Sequence, residues 1–244
     1  MYYNPPRLHW PELIKGTLVK RYKRFLADVK LFDNKLVTAH CANPGKMTEC
    51  STPGQTVWLS YHDNPKRKLK YTWELIQMPD SLVGVNTQIP NRLVSMSIKS
   101  GAVKELAGYD SIKQEVKTGN SRLDILLTKK NSDKCFIEVK NCTLVKKRTA
   151  QFPDAVTARG RKHLAEMQKL TLSGSRCVMF FLIQRTDADI FKPADSIDPE
   201  YGAELRKAVK NGVEILAYDT GIDLKSIWLN SRILCDLDNG VHPG

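Results

Sequence analysis

The chain has 244 residues, 41% of them hydrophobic, which is enough apolar material for two small packed units or one larger one. Lysine and arginine number 38 against 26 acids, a formal charge of +12, and this balance favours a polyanionic partner, nucleic acid above all. There is no run of about 18 apolar residues to span a membrane, and MYYNPPRLHW has no apolar export core, so a cytoplasmic protein with no membrane role is expected.

The first third reads as β structure. LIKGTLVKR, YKRFLADVKLF and, after a DN turn, KLVTAH form three antiparallel strands, and TVWLSYH and LKYTWELIQM add two more. Five short strands with polar turns predict a small OB-like β-barrel over residues 1–81. Cations and aromatics alternate in Arg21-Tyr22-Lys23-Arg24-Phe25 and again over residues 66–71, the composition of a stacking and phosphate-binding surface. The alternative is that the aromatics fill the barrel and the cations keep it soluble. The segment HCANPGKMTEC, residues 40–50, matches no ordinary zinc spacing. It reads as a structured loop with a turn at Asn43-Pro44-Gly45 and with Lys46 available to a phosphate. The six cysteines show no C-x-x-C pair and are expected as free thiols.

Pro79-Asp80-Ser81 marks a boundary, and residues 82–244 form a second unit. Pro90 stops an extended stretch, and Asn91 caps a helix over 92–106 with Leu93, Met96, Val103 and Leu106 on its buried stripe. Strand-like SIKQEVKTG follows, then a hairpin over 121–147. In it LDILL and CFIEV flank the polar turn NSD. A basic link, VKKRTAQFPDAVTARGRKH, leads into a helix over 157–172. RCVMFFLIQR is an unbroken apolar strand that suits the middle of a sheet covered on both faces. A helix over 199–211 stopped by Gly212 and a strand over 213–218 complete the pattern.

The hairpin carries the chemistry. Asp124 lies on its first strand, and Glu138 and Lys140 lie two apart on the second, so the latter two share a face. Two acids and a lysine could hold a divalent cation and activate a water. The alternatives for Asp124 are ion pairs with Arg122 or Arg159. Glu115, one strand earlier, is a third candidate carboxylate or an exposed strand residue. Arg159, Lys162 and His163 fall at i, i+3 and i+4 on one helical face, where they could grip the phosphate backbone, and Arg161 lies beside them on another face.

The spacing Asp124, hairpin, Glu138-Val139-Lys140, set in the order helix, three strands, helix, strand, resembles the PD-(D/E)-x-K nuclease core. Many nucleases of this type place a polar residue near the metal where Gln184 ends the buried strand. LVKRYKRFLADV, the loop at 40–47, VNTQIPNRLV, SRLDILL, CFIEVKNCTLV, FPDAVTARGRKHL and DIFKPADSIDPEYG together resemble the sugar fermentation stimulation protein family. That resemblance implies an α+β protein: an N-terminal OB-like β-barrel followed by a PD-(D/E)-x-K nuclease-like α/β domain with a mixed central sheet. It also implies DNA binding of low sequence specificity and a regulatory role in maltose metabolism. In this reading Asp124, Glu138, Lys140 and Gln184 are catalytic, and Asp124, Glu138 and Glu115 hold Mg²⁺ or Mn²⁺. Arg21, Lys23, Arg24, Lys46, Arg159, Arg161, Lys162 and His163 contact DNA, single strands included. An active Mg²⁺-dependent nuclease stands as the alternative main role, and monomer and homodimer are both left open.

Overall fold

The computed structural model describes residues 5–119, 121–130 and 133–238. Asn131 and Ser132, assigned above to the hairpin turn, lie outside the described residues.

Five strands, β2 (Leu13–Tyr22), β3 (Leu26–Leu31), β4 (Leu36–His40), β5 (Thr56–Tyr61) and β6 (Tyr71–Gln77), run in the sheet order β4-β3-β2-β5-β6, and a short parallel pairing of β4 with β6 closes the barrel. The period-2 pattern decides which side chains fill it. In β3, Ala27, Val29 and Leu31 point inward and Lys30 points out. Trp73 is wholly buried and donates its indole N–H to the carbonyl of Leu75 at 2.9 Å. Strands β2 and β3 pack so closely at Gly16 that a Cβ there would lie 2.5 Å from Val29 Cγ1. Cys41 and Cys50 belong to this core, so neither is presented to a metal. All six cysteines are free, and burial pushes Cys50 and Cys142 up to about 12, leaving unreactive thiols. β7 (Leu82–Gly84) pairs onto β6 at the exit from the barrel.

The second unit is built on a mixed seven-stranded sheet. Its members are β1 (Arg7–His9), β8 (Ser111–Thr118), β9 (Ser121–Thr128), β10 (Lys134–Cys142), β13 (Arg176–Ile183), β15 (Glu214–Ile222) and β16 (Ser226–Arg232), in the order β1-β16-β15-β13-β10-β9-β8. The strand read as central is central: β13 pairs in parallel with both β10 and β15. Phe180 and Leu182 face the layer of α1 (Ile89–Lys99), while Met179, Phe181 and Ile183 face α2 (Ala158–Leu172) and α3 (Pro199–Lys210). Full burial of such a side chain contributes about 1.5–3 kcal/mol, and from Cys177 to Ile183 the strand carries no charged residue. β11 (Leu144–Lys146), β12 (Thr149–Phe152), β14 (Ile190–Pro193) and β17 (Leu234–Cys235) form a small separate sheet.

Four features differ from the sequence reading. Residues 7–9, counted with the barrel by the division at 81/82, pair instead with β16. The first helix starts at Ile89, with Pro90 inside its first turn, because a helix leaves its first N–H groups unbonded and proline has none to lose. That helix stops at Lys99, ahead of Gly101 at φ +78, and Leu106 reaches the same core from a separate 3₁₀ turn. The basic link is not a link: it contains β11 and β12.

Candidate metal and nucleic-acid site

The site forms where two strands part. The β9–β10 ladder ends at Ile125 opposite Ile137, so the Val139 N–H has no strand carbonyl from β9 to bond. Asp124 Oδ2 accepts that N–H at 2.8 Å, and Asn91 of α1 donates to Asp124 Oδ1 at 2.7 Å. Neither Arg122 nor Arg159 pairs with Asp124: Arg122 pairs with Glu115. Burial and the nearby charge of Glu138 raise Asp124 to about 6, despite the Val139 N–H, the Lys140 charge and the Asn91 amide.

Glu138 points toward α2 and is 3% exposed. Its Oε1 receives Lys140 Nζ at 2.5 Å and also contacts His163 Nδ1. Burial pushes this carboxyl upward, but the His163 hydrogen bond and the Lys140 charge outweigh it and hold Glu138 below its ordinary value. Glu138 Oε2 is buried and has no protein partner.

Asp124, Glu138 and Lys140 line one cavity of about 520 Å³. Its opposite wall comes from the barrel: Arg24 at the β2–β3 turn and the loop carrying Asn43, Gly45 and Lys46. Arg24 and its neighbour Lys23 both have left-handed backbone, φ +62 and +48, in the three-residue turn that joins β2 to β3. Arg21 clamps the loop, donating to the carbonyls of Asn43 and Gly45 at 2.8 Å each, of Arg24 at 2.8 Å and of Lys46 at 3.2 Å. Asp154, from the stretch after β12, accepts the Met47 N–H at 3.0 Å and packs so close to Gly45 that a Cβ there would lie 2.3 Å from its Oδ2. The two units thus build one cavity.

Several expected contacts fall elsewhere. Glu115 does not join the acids: its backbone bulges at φ +55 and its exposed carboxylate lies 3.8 Å from Arg122. Arg21 does not line the cavity: its two terminal nitrogens donate to backbone carbonyls of the turn and loop, and its Nε is buried without a partner. His163 is 4% exposed and faces Glu138, so it grips no backbone. Arg161 is held by Asp198 at 3.0 Å and Glu200 at 3.1 Å. Gln184 is buried off the cavity and donates to Asn141 Oδ1 at 2.8 Å, bracing the residue next to Lys140 rather than reaching the cavity itself. Arg24, Lys46 and Arg159 do line the cavity, and Lys23 and Lys162 are exposed near it in sequence. Sequence reasoning missed Asn91, Asp154 and the Arg21 clamp. Asp154 had a signal, a carboxylate in FPDAVT just before a helix, but its partner, the Met47 N–H, lies 107 residues away and leaves no mark on residue type.

The donor set suits a hard divalent cation: two carboxylates on one cavity, one of them with an oxygen that no protein donor reaches. Among the described residues no group of three His, Cys, Asp or Glu side chains is placed to hold a metal. Water would complete the shell, as Mg²⁺ prefers.

The profile of the "Sugar fermentation stimulation protein RE domain" matches residues 88–226, and that of the "SfsA N-terminal OB domain" matches residues 19–85. A sugar fermentation stimulation protein homolog of Geobacter sulfurreducens is 52% identical over 222 residues, covering 91% of this chain and 95% of the relative. One from Maricaulis maris is 51% identical over 228 residues, covering 93% and 97%. The structure of Pyrococcus furiosus SfsA in complex with Ca²⁺ matches with a TM-score of 0.86 at 25% identity, covering 94% of this chain and 98% of that one.

Proposed function

The chain belongs to the sugar fermentation stimulation protein family, and from that premise we propose that it binds DNA with little sequence preference and carries a divalent-metal site able to hydrolyse a phosphodiester. One observation carries the reading: acids suited to a cation and cations suited to phosphates line the same cavity, contributed by both units. The Ca²⁺ in the Pyrococcus furiosus relative supports a divalent cation, and Mg²⁺ or Mn²⁺ is the ion we assign here. Asp124 and Glu138 hold it.

When bound, such a cation supplies Lewis acidity at a phosphoryl oxygen and lowers the pKa of a coordinated water. The chain's own residues do the rest. Lys140, pinned to Glu138 Oε1, places an ammonium where negative charge develops on the phosphoryl oxygens. Arg24 and Lys46 from the barrel and Arg159 from α2 hold flanking phosphates, contacts that position the strand without reading sequence. On another barrel face Tyr61 and Tyr71, ring centroids 5.3 Å apart, share a shallow groove with Lys35, Lys68 and Lys70, which suits stacked bases of a single-stranded segment.

Supercoiled plasmid incubated with Mg²⁺, Mn²⁺ or EDTA tests the proposal. Nicking is expected with either metal, none in EDTA, and none with Lys140→Ala, which keeps metal affinity. Intact plasmid with wild-type protein in both metals would remove the hydrolytic half of the proposal and leave DNA binding alone.

A further inference from the structure

We infer that His163 is the positioning residue of the metal site, holding Glu138 by one oxygen so that the other is kept for the cation. The inference rests on the metal reading above. The two ring nitrogens of His163 have different partners. Arg159 Nε–H, which can only donate, approaches Nε2 at 3.4 Å. Nε2 therefore accepts, and the neutral ring carries its proton on Nδ1. That N–H donates to Glu138 Oε1, the same oxygen that Lys140 Nζ reaches at 2.5 Å. Oε1 thus receives two donors, and Oε2 receives none from the protein.

A glutamate's terminal torsion is broad and two-fold, so an unrestrained carboxylate swaps its oxygens freely. Two donors on one oxygen remove that freedom. The side chains of His163 and Glu138 are 5% and 4% exposed, so solvent does not compete for the bond. Lys140 cannot do the work alone, because its ammonium turns on a flexible stem and is needed at the phosphoryl group. The imidazole is a rigid plane fixed on α2, and α2 is fixed in turn by the Thr157 cap, whose hydroxyl accepts from Gly160 N–H at 3.0 Å. Groups that orient metal ligands in this way typically govern affinity about 10–100-fold.

Calorimetric titration with Mn²⁺ tests it, using wild type, His163→Ala, His163→Asn and Asp124→Asn, with duplex affinity in EDTA measured in parallel. His163→Ala should weaken Mn²⁺ binding by about tenfold or more, with duplex affinity in EDTA unmoved. His163→Asn, whose amide nitrogen stands near the Nδ1 position, should recover most of the loss. A folded His163→Ala with wild-type Mn²⁺ affinity overturns the inference, and so does a His163→Asn as weak as His163→Ala, since volume rather than the donor would then matter. Should His163→Ala not fold, His163→Leu replaces it as the donor-free variant of similar size, and equal Mn²⁺ affinity of His163→Leu and His163→Asn is the overturning result. Undiminished Mn²⁺ binding by Asp124→Asn would instead refute the metal reading itself, independently of His163.

Discussion

Replacing Asp124 with asparagine should make the metal-free protein more stable. Burial and the charge of Glu138 hold the Asp124 carboxyl at about 6, against an ordinary 3.8. An acid whose pKa is raised by folding favours the fold when protonated and opposes it when ionised. Its penalty is absent well below the unfolded value, builds as pH climbs between the two values, and is complete above the folded one. At about 1.36 kcal/mol per unit, the penalty is about 1.6 kcal/mol near pH 5 and about 3 kcal/mol near pH 8. Asparagine is neutral throughout and escapes it. Its amide oxygen can still accept the Val139 N–H, and Asn91 can turn its own oxygen toward the new amide nitrogen. Urea denaturation in EDTA near both pH values reads the effect. Asp124→Asn should gain stability at each, by about 1.4 kcal/mol more near pH 8. Saturating Mn²⁺ should reverse the order, because a ligand at about 1,000 times its Kd adds about 4.1 kcal/mol to wild type alone. A variant less stable than wild type near pH 8, or an advantage that does not change with pH, would refute the reasoning.

Arg21→Lys should cost about 3 kcal/mol in urea denaturation, from two part-buried charged hydrogen bonds of about 1.5 kcal/mol each. Arg21→Gln, which removes the charge, should leave the salt dependence of DNA affinity as in wild type, and a slope shallower by about 1 would make Arg21 a phosphate ligand after all. Fluorescence titration of wild type with random and defined duplexes should show little difference between them and a steep loss of affinity with salt, about −0.9 in log–log slope per phosphate neutralised. Discrimination of about 10³-fold or more would overturn the low-specificity reading.

The barrel and the central strand were legible because local pattern decides them. Alternation in LADVKL and the unbroken apolar run of RCVMFFLI each report an environment that only one kind of strand meets. The spacing of Asp124, Glu138 and Lys140 was legible for the same reason, since a strand's repeat is local. His163 was not. Helical spacing placed it with Arg159 and Lys162, yet spacing cannot say which side of α2 meets the sheet when a buried carboxylate, Glu138, waits there for a donor. The Arg21 clamp was illegible because its acceptors are backbone carbonyls, which leave no mark on residue type. Pro90 misled because proline ends a strand and begins a helix with equal ease.

The placement of β1 sets an order of events during synthesis. Its partner β16 begins 217 residues after His9, at Ser226, and the Arg7 guanidinium lies 3.7 Å above the ring of Trp228. The barrel strands, by contrast, are contiguous from Leu13 to Gln77. At about 5–20 residues per second a ribosome finishes the barrel roughly eight to thirty seconds before it supplies β16. The first strand made is thus among the last to pair. Until it does, β1 stays unpaired beside a barrel whose own strands are already complete.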